Sequence, residues 1–381
     1  KGNMRDFCGT VLLEKKFFIT EEQVVTPAEI LMGAFTDADK IYINGICCGS
    51  SYDRYASRIY PVAPGILRAG ENVVCIHLYV FRGRGGAMPG KQYGIRFKKG
   101  KERWLDLSGT WDAQIRKQME YLPEKTFFNY MASAMFNGMI SPVSPYKICA
   151  VIYYQGESDV GHPNRYALEF RALVNDWRKS WKEKQLPIIY VQLAGFSDGN
   201  IKKQGTQWAE FREVQRQAME IENTAMVQAY DVGEYNDLHP MDKKALGMRA
   251  ALAVHKLVYG EKEECTGPQV RKIRLDRDKR VYAVFDQPLQ TGSKKDGCEL
   301  VSEVELRKAN GDYKRAYVTV DGNEICAWLS DGEEPTGIRY AWKDCPMNIC
   351  LYGKRGLPVI PFIKEWGRDA IYTGKICETY R

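Results

Sequence analysis

The spacing of apolar and polar positions changes character twice along the chain. From about residue 9 to 117, short β-rich runs such as Ile41-Tyr42-Ile43, Val73-Val74-Cys75-Ile76 and Tyr93-Gly94-Ile95 alternate with turn signals. Those signals are Asn44-Gly45, Pro64-Gly65, Ala69-Gly70 and the glycine-rich stretch 83–87. Helical periodicity is nearly absent, so residues 1–117 are expected to form a β-sandwich or jelly roll.

Between 126 and 260 the pattern becomes that of an α/β unit. Residues 148–154 form one continuous apolar run, as expected for a strand buried on both faces. Phe170, Leu173, Val174, Trp177 and Trp181 then fall at helical spacing. Pro187 introduces a second buried-type strand over 188–193, and Trp208, Phe211, Val214 and Ala218 suggest a second helix. A third strand covers 225–230, and Leu246, Ala250, Ala253 and Leu257 mark a last helix closed by Gly260. Strand and helix alternate three times, the signature of a parallel sheet. Residues 262–381 return to short β-rich runs separated by Asn310-Gly311, Asp321-Gly322 and Asp331-Gly332, which predicts a second β-domain.

Composition narrows the function classes. Hydrophobic residues make up 44% and charged residues 27%, as in an ordinary folded protein. The net charge of +7 is spread along the chain without a dense basic arm, so a nucleic-acid partner is not expected. No apolar run reaches eighteen residues, so no membrane partner is expected either. Eleven cysteines occur without a C-x-x-C pair and with only four histidines, which argues against zinc and against a disulfide framework. Buried free thiols are expected, with room for one or two bridges. The site is expected to need no metal and no cofactor.

In an open α/β sheet, ligands bind beyond the carboxyl ends of the strands. The first strand is followed there by Gln155-Gly156-Glu157-Ser158-Asp159 and the third by residues 231–240, which include Asp237 and His239. An imidazole can take a proton from a hydroxyl nucleophile while a nearby carboxylate fixes its tautomer. Asp-x-His also recurs by chance, and a histidine that merely bridges its loop is the plain alternative. The 155–159 loop offers a side-chain amide and a glycine turn, groups suited to an oxyanion hole, or simply a polar turn. Ser158 and Ser133 lie outside any G-x-S-x-G elbow, and His162 near Asp159 falls short of a metal ligand set. Gly83–Gly86 lacks the context of a phosphate loop, and Trp177, Trp181 and Trp208 fit helix faces as core.

Taken together, these motifs resemble a family. The stretch 154–158 (YQGES) is similar to the W-Y-Q-G-E-S/T-N block of sialate O-acetylesterases and related SGNH-type carbohydrate esterases. Residues 136–142 resemble the segment preceding that block, and 186–194 resemble the family's L-P-F-x-x-V-Q-L-A strand. Residues 231–233 with 236–240 resemble its D-x-G…D-I-H-P block. Residues 35–45 look like an inserted galactose-binding-like jelly roll, and 351–362 like the family's ending.

The resemblance implies a flavodoxin-like SGNH hydrolase three-layer α/β core over 126–260. It implies an inserted β jelly roll over 1–117 and a C-terminal β-sandwich-like domain over 262–381. It further implies a serine esterase that removes acetyl groups from sugar hydroxyls, with O-acetylated sialic acid the leading substrate. His239 would be the base, Asp237 the acid that orients it (Glu157 competing for that role), Gln155 and Gly156 oxyanion donors, and Asn137 a substrate contact. The family's nucleophile sits in a Gly-Gln-Ser-Asn-Met block that this sequence does not contain. The first hydrolase strands and their serine are therefore expected in an N-terminal segment missing from this chain. A periplasmic or secreted location is expected on the same ground. A non-catalytic carbohydrate-binding protein and an acetylxylan-type polysaccharide esterase are the rival readings. The retained His239, Asp237 and 155–157 loop argue against the former.

Overall fold

The computed structural model describes residues 7–54, 56–81, 83, 85–100, 103–121, 126–197, 204–233, 237–262, 264–292, 303–366 and 377–378. They fall into two compact units, Lys1–Phe128 and Asn129–Arg381. The α/β region and the C-terminal strands expected as separate domains thus share the second unit.

The first unit is built from nine main strands. They are β1 (Gly9–Ile19), β2 (Ala28–Met32), β3 (Ala38–Ile43), β4 (Ile46–Ser51), β5 (Ile59–Val62), β6 (Gly70–Val80), β7 (Tyr93–Phe97), β8 (Trp104–Asp106) and β9 (Asp112–Gln118). One sheet runs β9-β1-β6-β3-β4 and the other β8-β7-β2-β5. The period of two is plain in β6, where Val74, Ile76, Leu78 and Val80 are buried and the residues between them are not. These side chains meet Ile30, Met32, Ile95 and Phe97 of the other sheet in a single core. The only fully buried ion pair in this unit among the described residues joins Arg58 to Asp39 on β3. Burial holds the Asp39 carboxyl above its usual range, against the pull of the guanidinium.

In the second unit, β10 (Val151–Tyr153), β11 (Ile188–Val191) and β12 (Thr224–Val227) form a parallel three-stranded sheet in that order. Alternation sends Ile188, Tyr190 and Met226 to one face and Ile189, Val191, Ala225 and Val227 to the other. The first face is covered by α1 (Pro163–Ser180) and α2 (Gln207–Gln217) through Tyr166, Phe170, Val174 and Phe211. The second is covered by α3 (Lys243–Tyr259) through Leu246, Ala250 and Ala253. Pro163 opens α1 where no backbone donor is needed. Asp242 caps α3 by accepting from the Ala245 N–H, and Gly260, at φ +72°, closes it as expected.

Two differences from the apolar pattern stand out. The strand expected over 148–154 is confined to Val151–Tyr153, and Ile148 and Cys149 before it are exposed. On α2, the polar residues Arg212 and Gln215 are buried with Phe211, whereas Trp208 and Val214 are only partly covered.

Besides a two-stranded pair of Leu289–Thr291 with Leu351–Gly353, the C-terminal strands form two main antiparallel sheets. They are β13 (Val270–Leu275), β14 (Val281–Phe285), β15 (Val304–Arg307), β16 (Tyr313–Arg315), β17 (Tyr317–Asp321), β18 (Glu324–Trp328), β19 (Gly337–Tyr340), β20 (Phe362–Glu365) and β21 (Cys377–Glu378). Their orders are β17-β18-β14-β13-β21 and β16-β15-β19-β20, and Phe285, Ile325, Leu306, Ile338 and Phe362 share one core between them. The chain is therefore a mixed α/β protein with several sheets. Among the described residues no helix is long and apolar enough to cross a membrane, and no group of three His, Cys, Asp or Glu could hold a metal ion. Among the described side chains nine thiols are unbridged; Cys8, Cys265 and Cys345 are buried but Cys47 and Cys149 are exposed, so the expected burial holds only in part. Cys298 lies outside the described residues.

Phe170 is the hinge of the α1 packing, its ring 5.0 Å from that of Tyr190 and 5.7 Å from that of Tyr153. Phe170→Ala is expected to cost about 3–5 kcal/mol through the cavity it leaves. Leu168→Ala, on the exposed side of the same helix, should stay within about 0.5 kcal/mol. Urea unfolding midpoints of the two variants check this.

Candidate active site

Because β10, β11 and β12 are parallel and in register, their following loops emerge along one rim. Three close approaches describe what surrounds them. A Cβ on Gly233, after β12, would lie 2.5 Å from the Gly195 carbonyl oxygen after β11. A Cβ on Gly156, after β10, would lie 2.8 Å from the Phe211 ring on α2. The Lys243 ammonium, in the first turn of α3, stands 5.3 Å over the ring of Tyr154 at the end of β10. The His239 loop leads into α3, whose first turn therefore lies beside the residue that precedes Gln155.

In the first loop, Gln155 is fixed from both ends of its amide. Its Oε1 accepts from the Tyr153 hydroxyl at 2.8 Å and its Nε2 donates to Asp159 Oδ2 at 2.7 Å. An amide nitrogen carries two hydrogens, so one remains for a ligand. Gly156 is buried at φ +150°, a conformation that L side chains rarely adopt, and it starts the 3₁₀ turn Glu157–Asp159. Glu157 is partly exposed on that turn. Burial, reinforced by the Glu157 charge, pushes the Tyr154 hydroxyl up to about 12, so it stays protonated across the neutral range.

In the third loop, the Asp237 carboxylate is buried while the His239 ring is 57% exposed. Asp237 Oδ1 accepts the His239 backbone N–H at 2.9 Å and lies 3.8 Å from His239 Nδ1. That separation is ion-pair range, longer than a hydrogen bond. Asn236, part of the same sequence block, lies outside the described residues.

Around this rim runs a set of buried polar groups that sequence reasoning did not single out. Asp231 takes a two-pronged ion pair from Arg249 on α3, both contacts at 2.7 Å, and Arg249 also donates to the Gln228 carbonyl. Burial works against the Arg249 charge, and the paired carboxylate more than offsets it, so its pKa is raised. Gln215 accepts from the Leu193 N–H at 2.9 Å and so pins the start of the second loop. Arg212, fully buried, donates to the carbonyls of Lys343 and Asp344, and burial lowers it to about 10. Asp344 in turn accepts from the Trp208 N–H, and its carbonyl accepts from Phe196. The signal that could have revealed these groups was weak: polar side chains at i and i+3 on the buried side of α2.

Asn137 stands apart. It lies on the exposed π-turn Phe136–Ile140 before β10, its N–H donating to the Ser133 carbonyl. Ser158 is exposed on the 3₁₀ turn, and His162 precedes α1 as its N-cap residue without a side-chain cap bond.

The fold and rim are those of a mixed α/β chain with polar loops at the carboxyl ends of parallel strands, and comparison with known proteins finds similarities of the same kind. Residues 113–256 match the family described as carbohydrate esterase, sialic acid-specific acetylesterase, which bears out the resemblance seen in the motifs. The sialate O-acetylesterase of Pongo abelii is 28% identical over 260 residues, 61% of this chain and 48% of its own length. That of Mus musculus is 31% identical over 275 residues, 61% of this chain and 47% of its own. This chain thus spans about half the length of the curated relatives it matches. A crystal structure of a carbohydrate acetylesterase from Xanthomonas citri shares the fold, with a TM-score of 0.56 at 21% identity, over 89% of this chain and 96% of that one.

The two constraints on Gly156 are separable. Gly156→Ala is expected to destabilise the protein by about 1–3 kcal/mol through backbone strain and overpacking. Adding Phe211→Leu should return part of that loss by relieving the contact with the ring. Thermal unfolding of the single and double variants tests this, and a double variant no better than the sum would refute the clash.

Proposed function

We propose that the protein of which this chain is part is a carbohydrate O-acetylesterase, with O-acetylated sialic acid as its leading substrate. The observations that carry this reading are the 3.8 Å approach of His239 to Asp237 and the approach of Lys243, four residues after His239, to the Tyr154 ring next to Gln155, inside the segment that matches the sialic acid-specific acetylesterase family. A serine hydroxyl, carried on a segment outside this sequence, attacks the acetyl carbonyl. His239 takes its proton and returns it to the departing sugar oxygen, and water then releases acetate by the same route in reverse. Asp237 orients the imidazole. Its burial and its 3.8 Å approach favour it over Glu157, and such contacts shorten as substrate binds. The Gly156 N–H and the remaining Gln155 amide hydrogen face the oxyanion, with Tyr153 and Asp159 holding that amide in place.

In the same reading the α/β region is an SGNH-type hydrolase core, the first unit a jelly roll and the C-terminal strands a sandwich-like domain. Asn137 contacts substrate, and the protein works in the periplasm or outside the cell. The chemistry runs on side chains and backbone amides and needs no cofactor.

The test is hydrolysis of 4-nitrophenyl acetate and of O-acetylated sialic acid by the protein carrying its whole reading frame. His239→Ala and Asp237→Asn are expected to lower kcat by about 10³–10⁴-fold. Glu157→Gln should keep most of the rate. Turnover indifferent to His239 would sink the assignment.

A further inference from the structure

The C-terminal sheet β17-β18-β14-β13-β21 buries one of its faces against the other sheet. Val318, Ile325, Ala327, Val281 and Ala283 point into that core, so alternation sends their neighbours outward. Register lines these neighbours up in rows across the strands. Tyr317 stands opposite Trp328, and Thr319, Cys326, Tyr282 and Arg274 form the next row. The Tyr317 and Trp328 rings are nearly parallel, their planes 19° apart and their centroids 6.0 Å apart. Arg280, just before β14, holds its guanidinium 5.6 Å from the centre of the Trp328 ring. Tyr317 lies on the edge strand and is 45% exposed.

The charges around these rings are unevenly matched. Arg274 is paired with Glu324, while Asp276 accepts from the Tyr282 hydroxyl and the Arg280 backbone N–H. The Arg280 guanidinium has no carboxylate partner among the described residues. Its turn, 276–280, carries three cations against two carboxylates. The other C-terminal sheet differs. There Arg339 lies over Tyr313, its charge is taken by Glu305, and the Tyr313 hydroxyl donates to Glu365.

We propose that the outward Tyr317–Trp328 face is a non-catalytic binding site for an acidic carbohydrate chain. A sugar ring offers a face of weakly positive C–H groups, which packs on the negative face of an aromatic ring. Arg280 supplies the complementary charge, as a two-pronged donor to a sugar carboxylate. The Thr319 and Tyr317 hydroxyls, in the same two rows, serve the sugar hydroxyls. A nucleic-acid strand is the poorer fit. It needs a basic track along its phosphates, and here Asp276, Asp278 and Glu324 interrupt the cations. The sparser charge of a glycan matches one open guanidinium beside two rings. This site lies on a different sheet from the candidate active site and does not rest on the esterase reading.

The probes are oligomers of sialic acid without O-acetyl groups and of galacturonic acid, titrated calorimetrically into the 381-residue chain. Dextran is the neutral comparison and oligo(dT) the nucleic-acid one. At least one acidic oligomer is expected to bind. Tyr317→Ala and Trp328→Ala, checked for folding by circular dichroism, should each weaken that binding about tenfold. Arg280→Gln, which keeps both rings, should lower it to the level of dextran. Trp104→Ala, an exposed ring of the first unit, should leave it unchanged. Failure of both acidic oligomers to bind, binding indifferent to Tyr317→Ala and Arg280→Gln, or tighter binding of oligo(dT) through the same residues would each overturn the proposal. Binding lost in His239→Ala and kept in Tyr317→Ala would also overturn it, by placing the sugar at the rim.

Discussion

The in-register parallel pairing of Val151–Tyr153 with Ile188–Tyr190, and of Ile188–Val191 with Thr224–Val227, is the constraint on which the rest of this molecule depends. Parallel strands that begin level also end level, so the three segments that follow them leave the sheet on one line. A one-residue slip in either pair would exchange the two faces, turning Ile189 and Val191 toward α2 and Tyr190 toward α3. It would also carry the Gln155 and His239 loops away from each other. The short, wholly apolar composition of β11 fixes the strand between two helical layers without naming the register. The register is held by the polar groups at the strand ends.

Those groups are costly to bury, and most are answered, although Arg212 Nε and Gln192 Oε1 have no hydrogen-bond partner. Gln228 bridges the Gly267 N–H and the Pro358 carbonyl, tying the end of β12 to the C-terminal strands. The Tyr230 hydroxyl reaches the Val359 carbonyl and its ring joins the C-terminal core. Arg212 brings a full positive charge into the interior with no carboxylate bonded to it directly. At a pKa of about 10 it remains charged at neutral pH, held by two carbonyls and the field of Asp344. Removing the partners of such a charge costs several kcal/mol, so the 341–347 segment and α2 stand or fall together. The C-terminal strands are accordingly part of the site's scaffold: they fix the 194–197 loop through Asp344 and Cys345.

Much of this architecture was legible in the chain, for identifiable reasons. The alternation of apolar runs with 3.6-residue periodicity located all three strands and three helices, because burial on a sheet face and along a helix stripe are local in sequence. Asp237 and His239 were readable as a pair because a single residue, Leu238, separates them. Asp231 and Arg249 were not, since they stand 18 positions apart and meet only when α3 folds back onto the sheet. Arg212 and Gln215 escaped because polar residues on a helix are read as solvent-facing, and here the polar groups of the loops draw them inward. The 148–154 run misled in the other direction. A continuous apolar stretch reads as a strand buried on both faces, yet Ile148, Ile152 and Tyr154 are exposed.

A transition-state oxyanion is stabilised strongly only where water is excluded and donors are held before the reaction begins. On the proposed reading the donors are pre-positioned, with Gln155 clamped at both ends and Gly156 packed against Phe211. The His239 ring, by contrast, stands more than half in solvent. On the proposed reading, the acid–base and oxyanion half of the site folds as part of this chain's own core.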